Sequence, residues 1–90
     1  MSVAETIHDK LTHRFAPTRL DILDESHRHA GHAGARPEGE THFAVTITSA
    51  AFAGLSRVAR QRLVYDALKE ELTSQVHALS LTTLTPEEDG

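Results

Sequence analysis

The sequence predicts a small α+β domain in which a helix, two strands, a second helix and a third strand follow one another over residues 1–90. Two segments place apolar residues every three or four positions, as amphipathic helices do. Three other segments alternate apolar with small or polar residues, which is typical of strands with one buried face. The last two strands are joined through a helix, which implies parallel pairing and a right-handed crossover. We therefore expect a three-stranded mixed sheet with both helices on one face.

The first helix is predicted near the start of the chain. Its apolar positions repeat along one side: Val3, Ile7, Leu11 and Phe15. Ser2, followed three residues later by Glu5, has the arrangement of a capping box at the helix N-terminus. Pro17 ends the helix, because the residue before a proline is disfavoured in the helical region. His8 and His13 are expected to be solvent-exposed on this helix.

Two strands are predicted at 20–24 and 43–49, and the connection between them is long. This connection carries three glycines and one proline but no long apolar side chain. Connections of this length without secondary structure are usually functional or mobile. Four of the seven histidines lie in or beside it, namely His27, His29, His32 and His42.

The second helix is predicted to begin after Ser56, which can cap it. Its apolar face runs from Val58 to Leu72, and seven charged residues cover the rest: Arg57, Arg60, Arg62, Asp66, Lys69, Glu70 and Glu71. The last strand is predicted over 76–84, with His77, Leu79 and Leu81 on one face and Val76 on the other. Residues 86–90 are expected to form a flexible acidic tail of the single domain.

Composition excludes several classes of function. The chain has no cysteine, so it cannot form a disulfide, a thiol nucleophile or a thiolate metal site by itself. The net charge of −4 disfavours sequence-independent binding to nucleic acid. There is no glycine-rich nucleotide motif and no membrane-spanning or signal segment, and we expect a cytoplasmic protein without catalytic activity.

The histidines are the main chemical signal in the sequence, because imidazole binds zinc, copper, nickel and iron. The spacing His27-x-His29-x-x-His32 does not supply the four ligands of a closed zinc site. A shared site, with one or two histidines here and thiolates from another molecule, is the better interpretation. His77 is a second candidate ligand if the sheet brings the strand ends together, and its alternative is a histidine satisfied by backbone hydrogen bonds.

A series of short motifs along nearly the whole chain resembles the BolA-like protein family. The motifs are Leu11-x-x-x-Phe15-x-Pro17, Asp24-Glu25-Ser26-His27-x-His29, Gly39-Glu40-Thr41-His42-Phe43, Phe52-x-Gly54, Arg60-x-Arg62-Leu63-Val64-Tyr65, Leu68-x-x-Glu71-Leu72 and Val76-His77-Ala78-Leu79. Each motif is weak alone, but their common order and spacing are highly specific. The His-Ala-Gly-His-Ala-Gly form of the loop is similar to the bacterial branch.

The resemblance implies a fold related to the type II KH arrangement and a partnership with monothiol glutaredoxins. In such complexes a [2Fe-2S] cluster is bridged by the glutaredoxin cysteine, a glutathione thiol and side chains of the BolA-like protein. The ligand positions carried over to this sequence are His77 on the last strand and His29 in the loop, with His27 or His32 as alternates. The implied role is in iron–sulfur trafficking or in iron and redox signalling.

The resemblance also leaves an alternative open, because members of the family are described as DNA-binding transcriptional regulators. The candidate surface for DNA, or for the glutaredoxin, consists of Arg57, Arg60 and Arg62. The chain departs from the family's Arg-His-Arg pattern at Gln61, which can neither titrate nor ligate iron well. It also lacks the G-x-x-G loop with which KH modules clamp nucleic acid. A homodimer is a further open expectation, and no membrane partner is implied.

Overall fold

The computed structural model describes residues 2–24, 42–74, 76 and 78–89. Their elements are α1 (Val3–Phe15), β1 (Arg19–Asp24), β2 (His42–Thr48), a 3-10 turn (Ala50–Phe52), α2 (Arg57–Ala67), α3 (Lys69–Ser74), β3 (Ala78–Leu84) and α4 (Pro86–Asp89). The strand order is β1-β2-β3, with β1 antiparallel and β3 parallel to β2. The predicted three-stranded mixed sheet is confirmed.

Local sequence signals account for both ends of α1. The Ser2 hydroxyl accepts a hydrogen bond from the Glu5 backbone N–H at 3.1 Å, and the Glu5 carboxylate accepts one from the Ser2 N–H at 3.5 Å. The predicted capping box is therefore confirmed. At the other end Pro17 follows the helix, as predicted, and the residue before it, Ala16, has a left-handed conformation with a φ of 45°.

The core lies between the central strand β2 and the helices on one face of the sheet. Phe43, Val45 and Ile47 alternate along β2 and are almost completely buried. The other fully or largely buried apolar residues come from α1, the 3-10 turn and the chain from α2 to β3: Ile7, Leu11, Phe15, Phe52, Val64, Leu68 and Val76. The rings of Phe15 and Phe52 pack in a tilted arrangement with centroids 5.2 Å apart, so the 3-10 turn is anchored against the end of α1.

The second predicted helix differs from the structure in its continuity. It is divided at Leu68 into α2 and α3, although backbone hydrogen bonds continue through that residue in both directions. Glu71 was predicted on the solvent-exposed side but is buried. Its two carboxylate oxygens accept hydrogen bonds from Lys10 Nζ of α1 at 2.8 and 3.0 Å. Val76, predicted as part of the last strand, is buried and precedes that strand, because β3 begins only at Ala78.

The acidic end of the chain also differs from its prediction as a flexible tail. Residues Pro86–Asp89 form a helical turn, α4. The Glu88 carboxylate accepts hydrogen bonds from Arg60 at 2.6 Å and from the Thr85 N–H at 2.8 Å. Asp89 pairs with Arg19 at 2.7 Å. These contacts join α4 to both α2 and β1, which explains why the segment folds back.

No helix among residues 2–24, 42–74, 76 and 78–89 is both long and apolar enough to span a membrane.

Candidate functional site

One end of the sheet brings together the segments that carry the predicted ligands. Here β1 ends at Asp24, which pairs with Phe43, and the first residue of β2, His42, pairs with Ala78, the first residue of β3. We refer to this end, where β1 finishes and β2 and β3 begin, as the histidine end of the sheet. The segment 25–41 leaves Asp24 and returns at His42, while position 77 directly precedes Ala78. Both predicted ligand segments are therefore attached to the same end.

The predicted ligands themselves are not covered by the structure. His29 and His77, and the alternates His27 and His32, lie outside the described residues and stay predictions. Among the described histidines, His42 is half-buried at the histidine end.

The two histidines of α1 are solvent-exposed, as predicted. His13 Nδ1 lies 2.9 Å from the Asp9 carbonyl oxygen, one helical turn earlier. His8 lies 3.7 Å from the Asp9 carboxylate, and both of these side chains are more than half exposed. These contacts are local to α1, so the two histidines have ordinary surface environments.

The donor groups that the structure describes do not form a metal site on their own. Within residues 2–24, 42–74, 76 and 78–89, no three or more His, Asp or Glu side chains are placed to hold an ion. The whole sequence has no cysteine, so any thiolate ligand has to come from another molecule. This donor set does not fit a self-contained iron–sulfur site, whose ligands are mostly thiolates. It does fit a shared site to which this chain adds imidazole.

A buried ion pair supports the start of β3. Lys10 Nζ of α1 lies 2.8 Å from the carboxylate of Glu71 in α3, and the Glu71 side chain is only 8% exposed. The Glu71 carbonyl oxygen in turn accepts a hydrogen bond from the Val76 N–H at 2.8 Å. The hydrogen bond that the Lys10 ammonium donates to Glu71 raises the pKa of Lys10 above its ordinary value of 10.5, and partial burial opposes that shift. This pair connects α1 to the residues that lead into the histidine end.

The three arginines of the predicted partner surface have different environments. Arg57 and Arg62 are exposed, whereas the Arg60 side chain is only 12% exposed. Besides pairing with Glu88, Arg60 donates hydrogen bonds to the Leu55 carbonyl at 3.0 Å and the Thr83 carbonyl at 3.3 Å. The guanidinium of Arg60 is therefore bound within the fold, in contrast to those of Arg57 and Arg62, and the three-arginine partner surface stays a prediction.

The contact between α2 and α4 has a predictable acid dependence. The Glu88 carboxylate accepts hydrogen bonds from Arg60 and from the Thr85 N–H. These two bonds, that from Arg60 first, lower the pKa of Glu88 from 4.5 to about 2. A depressed carboxylate pKa stabilises the fold above the unfolded value and loses that contribution as pH falls from 4.5 to about 2.

We expect Glu88→Gln to lower the urea midpoint modestly at pH 6 and to match the wild type near pH 2. Glu87→Gln is the control, and an equal effect of both variants would contradict the assignment.

Comparisons with known proteins agree with this architecture. The sequence profile of the BolA-like protein family matches residues 11–88. A Sinorhizobium protein described as an uncharacterized protein in the cobS 5' region is 49% identical over 89 residues, which span 98% of this chain and 96% of that protein. The DNA-binding transcriptional regulator BolA of Escherichia coli is 42% identical over 88 residues, which span 98% of this chain and 80% of the regulator.

Solved structures match equally well. BolA1 from Arabidopsis thaliana superposes with a TM-score of 0.88 at 44% identity, covering 98% of this chain and 96% of that chain. Some relatives are much longer, and the chain spans only 23% of the Arabidopsis SufE-like protein 1. The sheet order, the family profile and these similarities lead to one conclusion: the chain belongs to the BolA-like protein family.

Proposed function

We propose that this protein is a non-catalytic adaptor that shares a [2Fe-2S] cluster with a monothiol glutaredoxin and glutathione, in iron–sulfur trafficking or in iron and redox signalling. The observation that carries the proposal is the parallel register of β2 and β3, in which His42 lies opposite Ala78. This register attaches the histidine-rich segment and position 77 to the same end of the sheet. Imidazoles from these two sources can therefore serve one site.

The composition of the chain supports a shared cluster. An iron–sulfur cluster supplies electron-transfer or sensing chemistry, and its irons are normally held by thiolates. This chain has no cysteine and seven histidines, so its contribution is restricted to imidazole and carboxylate ligands. His77 and His29 are the residues that would hold the cluster from this side. A ligating imidazole nitrogen has to be deprotonated, so the contribution of this chain is sensitive to pH.

Anaerobic reconstitution tests the proposal. The protein is mixed with a monothiol glutaredoxin, glutathione, ferrous iron and sulfide, and the product is separated by size-exclusion chromatography. We expect a coloured complex that contains both proteins and whose visible circular dichroism differs from that of the glutaredoxin with its cluster alone. Elution of the two proteins apart, with the glutaredoxin spectrum unchanged, would contradict the proposal.

A second candidate function is sequence-specific regulation through DNA binding. It is favoured by the name of the Escherichia coli relative, a DNA-binding transcriptional regulator, and by two exposed arginines of α2, Arg57 and Arg62. Arg60 contributes little to such a surface, because Glu88 already occupies its guanidinium.

The DNA candidate has its own test. If it is correct, duplex DNA should be bound with a salt-dependent affinity, and replacing Arg57 and Arg62 should weaken that affinity and flatten its salt dependence. Replacing Arg60 as well should add little to the loss of binding. Absence of binding at low salt would exclude this function.

A further inference from the structure

The pairing of charges singles out one surface of the protein. Seven of the nine lysine and arginine residues lie in the described part of the chain, since Arg28 and Arg36 do not. Four of the seven hold a carboxylate: Lys10 with Glu71, Arg14 with Asp66, Arg19 with Asp21 and Asp89, and Arg60 with Glu88. The other three, Arg57, Arg62 and Lys69, are exposed and have no ion pair among the described residues. All three lie on α2 or at the start of α3.

Exposed apolar side chains point to the same surface independently. The described residues include three large exposed hydrophobic side chains: Leu23, Val58 and Tyr65. Val58 and Tyr65 are on α2, and they are 56% and 39% exposed. Leu23 lies on β1, away from this helix.

Helical spacing aligns these groups in a row. Val58, Arg62, Tyr65 and Lys69 follow at intervals of four, three and four residues, which places them along one side of a helix. Val64, on the opposite side, is fully buried. Backbone hydrogen bonds into and out of Leu68 keep α3 close to the path of α2. We call these four residues the outer stripe, which is roughly 17 Å long at the rise of an α-helix.

The chemistry of the outer stripe fits a protein better than a nucleic acid. Tyrosine and arginine are enriched in protein interfaces, where a desolvated aromatic side chain often supplies much of the binding energy. Nucleic-acid binding relies on many phosphate contacts, and this chain has a net charge of −4. Two cations beside an exposed valine and tyrosine match an acidic protein surface that contains an apolar recess.

The outer stripe also extends toward the proposed ligands. Arg60, in the first half of α2, contacts the carbonyl of Thr83 near the end of β3. The chain leaves α3 and reaches Val76, just before the start of β3. Tyr65 and Lys69 are therefore on the half of the stripe nearer the histidine end. A partner that covers this end can continue along the stripe.

We propose that the outer stripe is the docking surface for an acidic face of the protein partner, with Tyr65 as its apolar anchor and Arg62 and Lys69 as its charged contacts. This inference rests on the proposed function, because the partner used to test it is a monothiol glutaredoxin. It replaces the predicted surface of Arg57, Arg60 and Arg62 with a different set, in which Arg60 has no part.

Calorimetric titration of a monothiol glutaredoxin with matched variants tests the inference. We expect Arg62→Gln combined with Lys69→Gln to weaken binding by about tenfold and to reduce its dependence on salt. The control, Arg14→Gln with Arg19→Gln, removes the same two charges from exposed arginines that already hold carboxylates. Tyr65→Ala should weaken binding by about tenfold or more, whereas Thr12→Ala, at an exposed position in the last turn of α1, should not.

The outcomes separate this inference from the proposed function. If the wild type does not bind the glutaredoxin, both are overturned. If the wild type binds and the stripe variants bind equally well, with folding verified by circular dichroism, only the outer stripe is overturned. If the stripe variants keep their affinity for glutaredoxin but lose affinity for duplex DNA, the surface serves nucleic acid and the inference is also overturned.

Discussion

Replacing Glu71 with alanine should lower the free energy of unfolding by on the order of 2 kcal/mol, or roughly 10 °C in melting temperature. The Glu71 side chain is only 8% exposed, and its loss leaves a partly buried ammonium without its partner. The cost stays below that of a fully buried pair, because the Lys10 side chain is 33% exposed and can turn toward water. Urea unfolding followed by circular dichroism measures the effect.

Neighbouring substitutions provide the controls for Glu71. Glu70→Ala removes a carboxylate that is 88% exposed and 4.0 Å from the same ammonium, and it should have almost no effect. Replacing Lys10 with methionine and Glu71 with leucine together should restore stability, because an apolar pair of similar volume avoids the cost of burying charge. A double variant as unstable as Glu71→Ala would show that the ion pair is needed for more than charge compensation.

The same ion pair predicts an alkaline transition. The pKa of Lys10 is raised above 10.5 in the folded protein, chiefly by the hydrogen bond that its ammonium donates to Glu71. A raised lysine pKa contributes stability that is complete below the unfolded value and is lost as pH rises through the folded value. The wild type should therefore lose stability above about pH 10.5 more steeply than Glu71→Ala does. Parallel slopes for the two proteins would contradict this assignment.

His77→Ala should remove most of the visible circular dichroism that distinguishes the mixed cluster complex from the glutaredoxin alone. If His77 holds iron from this side, its loss leaves the complex with one donor fewer, and ligand removal also lowers the affinity of the two proteins. Iron content and the mixed-complex spectrum after size-exclusion chromatography measure the change. An unchanged spectrum and an unchanged elution position would show that His77 is not a ligand.

Alanine variants of the other histidines provide the control and the comparison for His77→Ala. His13→Ala is the control, because its exposed ring contacts only the backbone of α1. Among the loop positions, His29→Ala should have the largest effect, and His27→Ala and His32→Ala should have smaller ones. If His27→Ala or His32→Ala instead abolishes the spectrum, the loop ligand is that residue and the choice of His29 is wrong.

Much of the fold could be predicted because its signals are local. The spacing of Ile7, Leu11 and Phe15 predicts the buried face of α1, and alternation along 43–49 predicts the central strand. Features that depend on distant partners were missed. Glu88 and Asp89 lie 28 and 70 residues from the arginines that hold α4 in place. No local pattern distinguishes such a segment from a flexible acidic tail.

The candidate site was predictable to a similar extent. Spacing on α2 contained a usable signal, since Arg60 precedes the buried Val64 by four residues and Glu71 follows it by seven. Both side chains therefore belong to the inner side of the helix, where a charge needs a partner. Tyr65 and Lys69 could not be recognised as part of a surface from the sequence alone. Their recognition required the exposure of Tyr65 and the knowledge of which described lysines and arginines hold a carboxylate. The ligand assignments of His29 and His77 remain predictions.

The two ends of the described chain offer unequal places for attaching a label. The Ser49 hydroxyl donates a hydrogen bond to the Phe15 carbonyl at 2.7 Å, so α1 finishes beside the end of β2. Earlier in α1, Lys10 contacts Glu71, whose carbonyl accepts from Val76 just before β3, so α1 begins on the side of the histidine end. The α4 turn is held at the opposite end of the sheet by ion pairs of Asp89 with Arg19 and of Glu88 with Arg60. A fluorophore or affinity tag joined after α4 would leave the histidine end accessible to a partner, whereas the same group before α1 would crowd it. Binding assays on this protein should therefore use C-terminal labels.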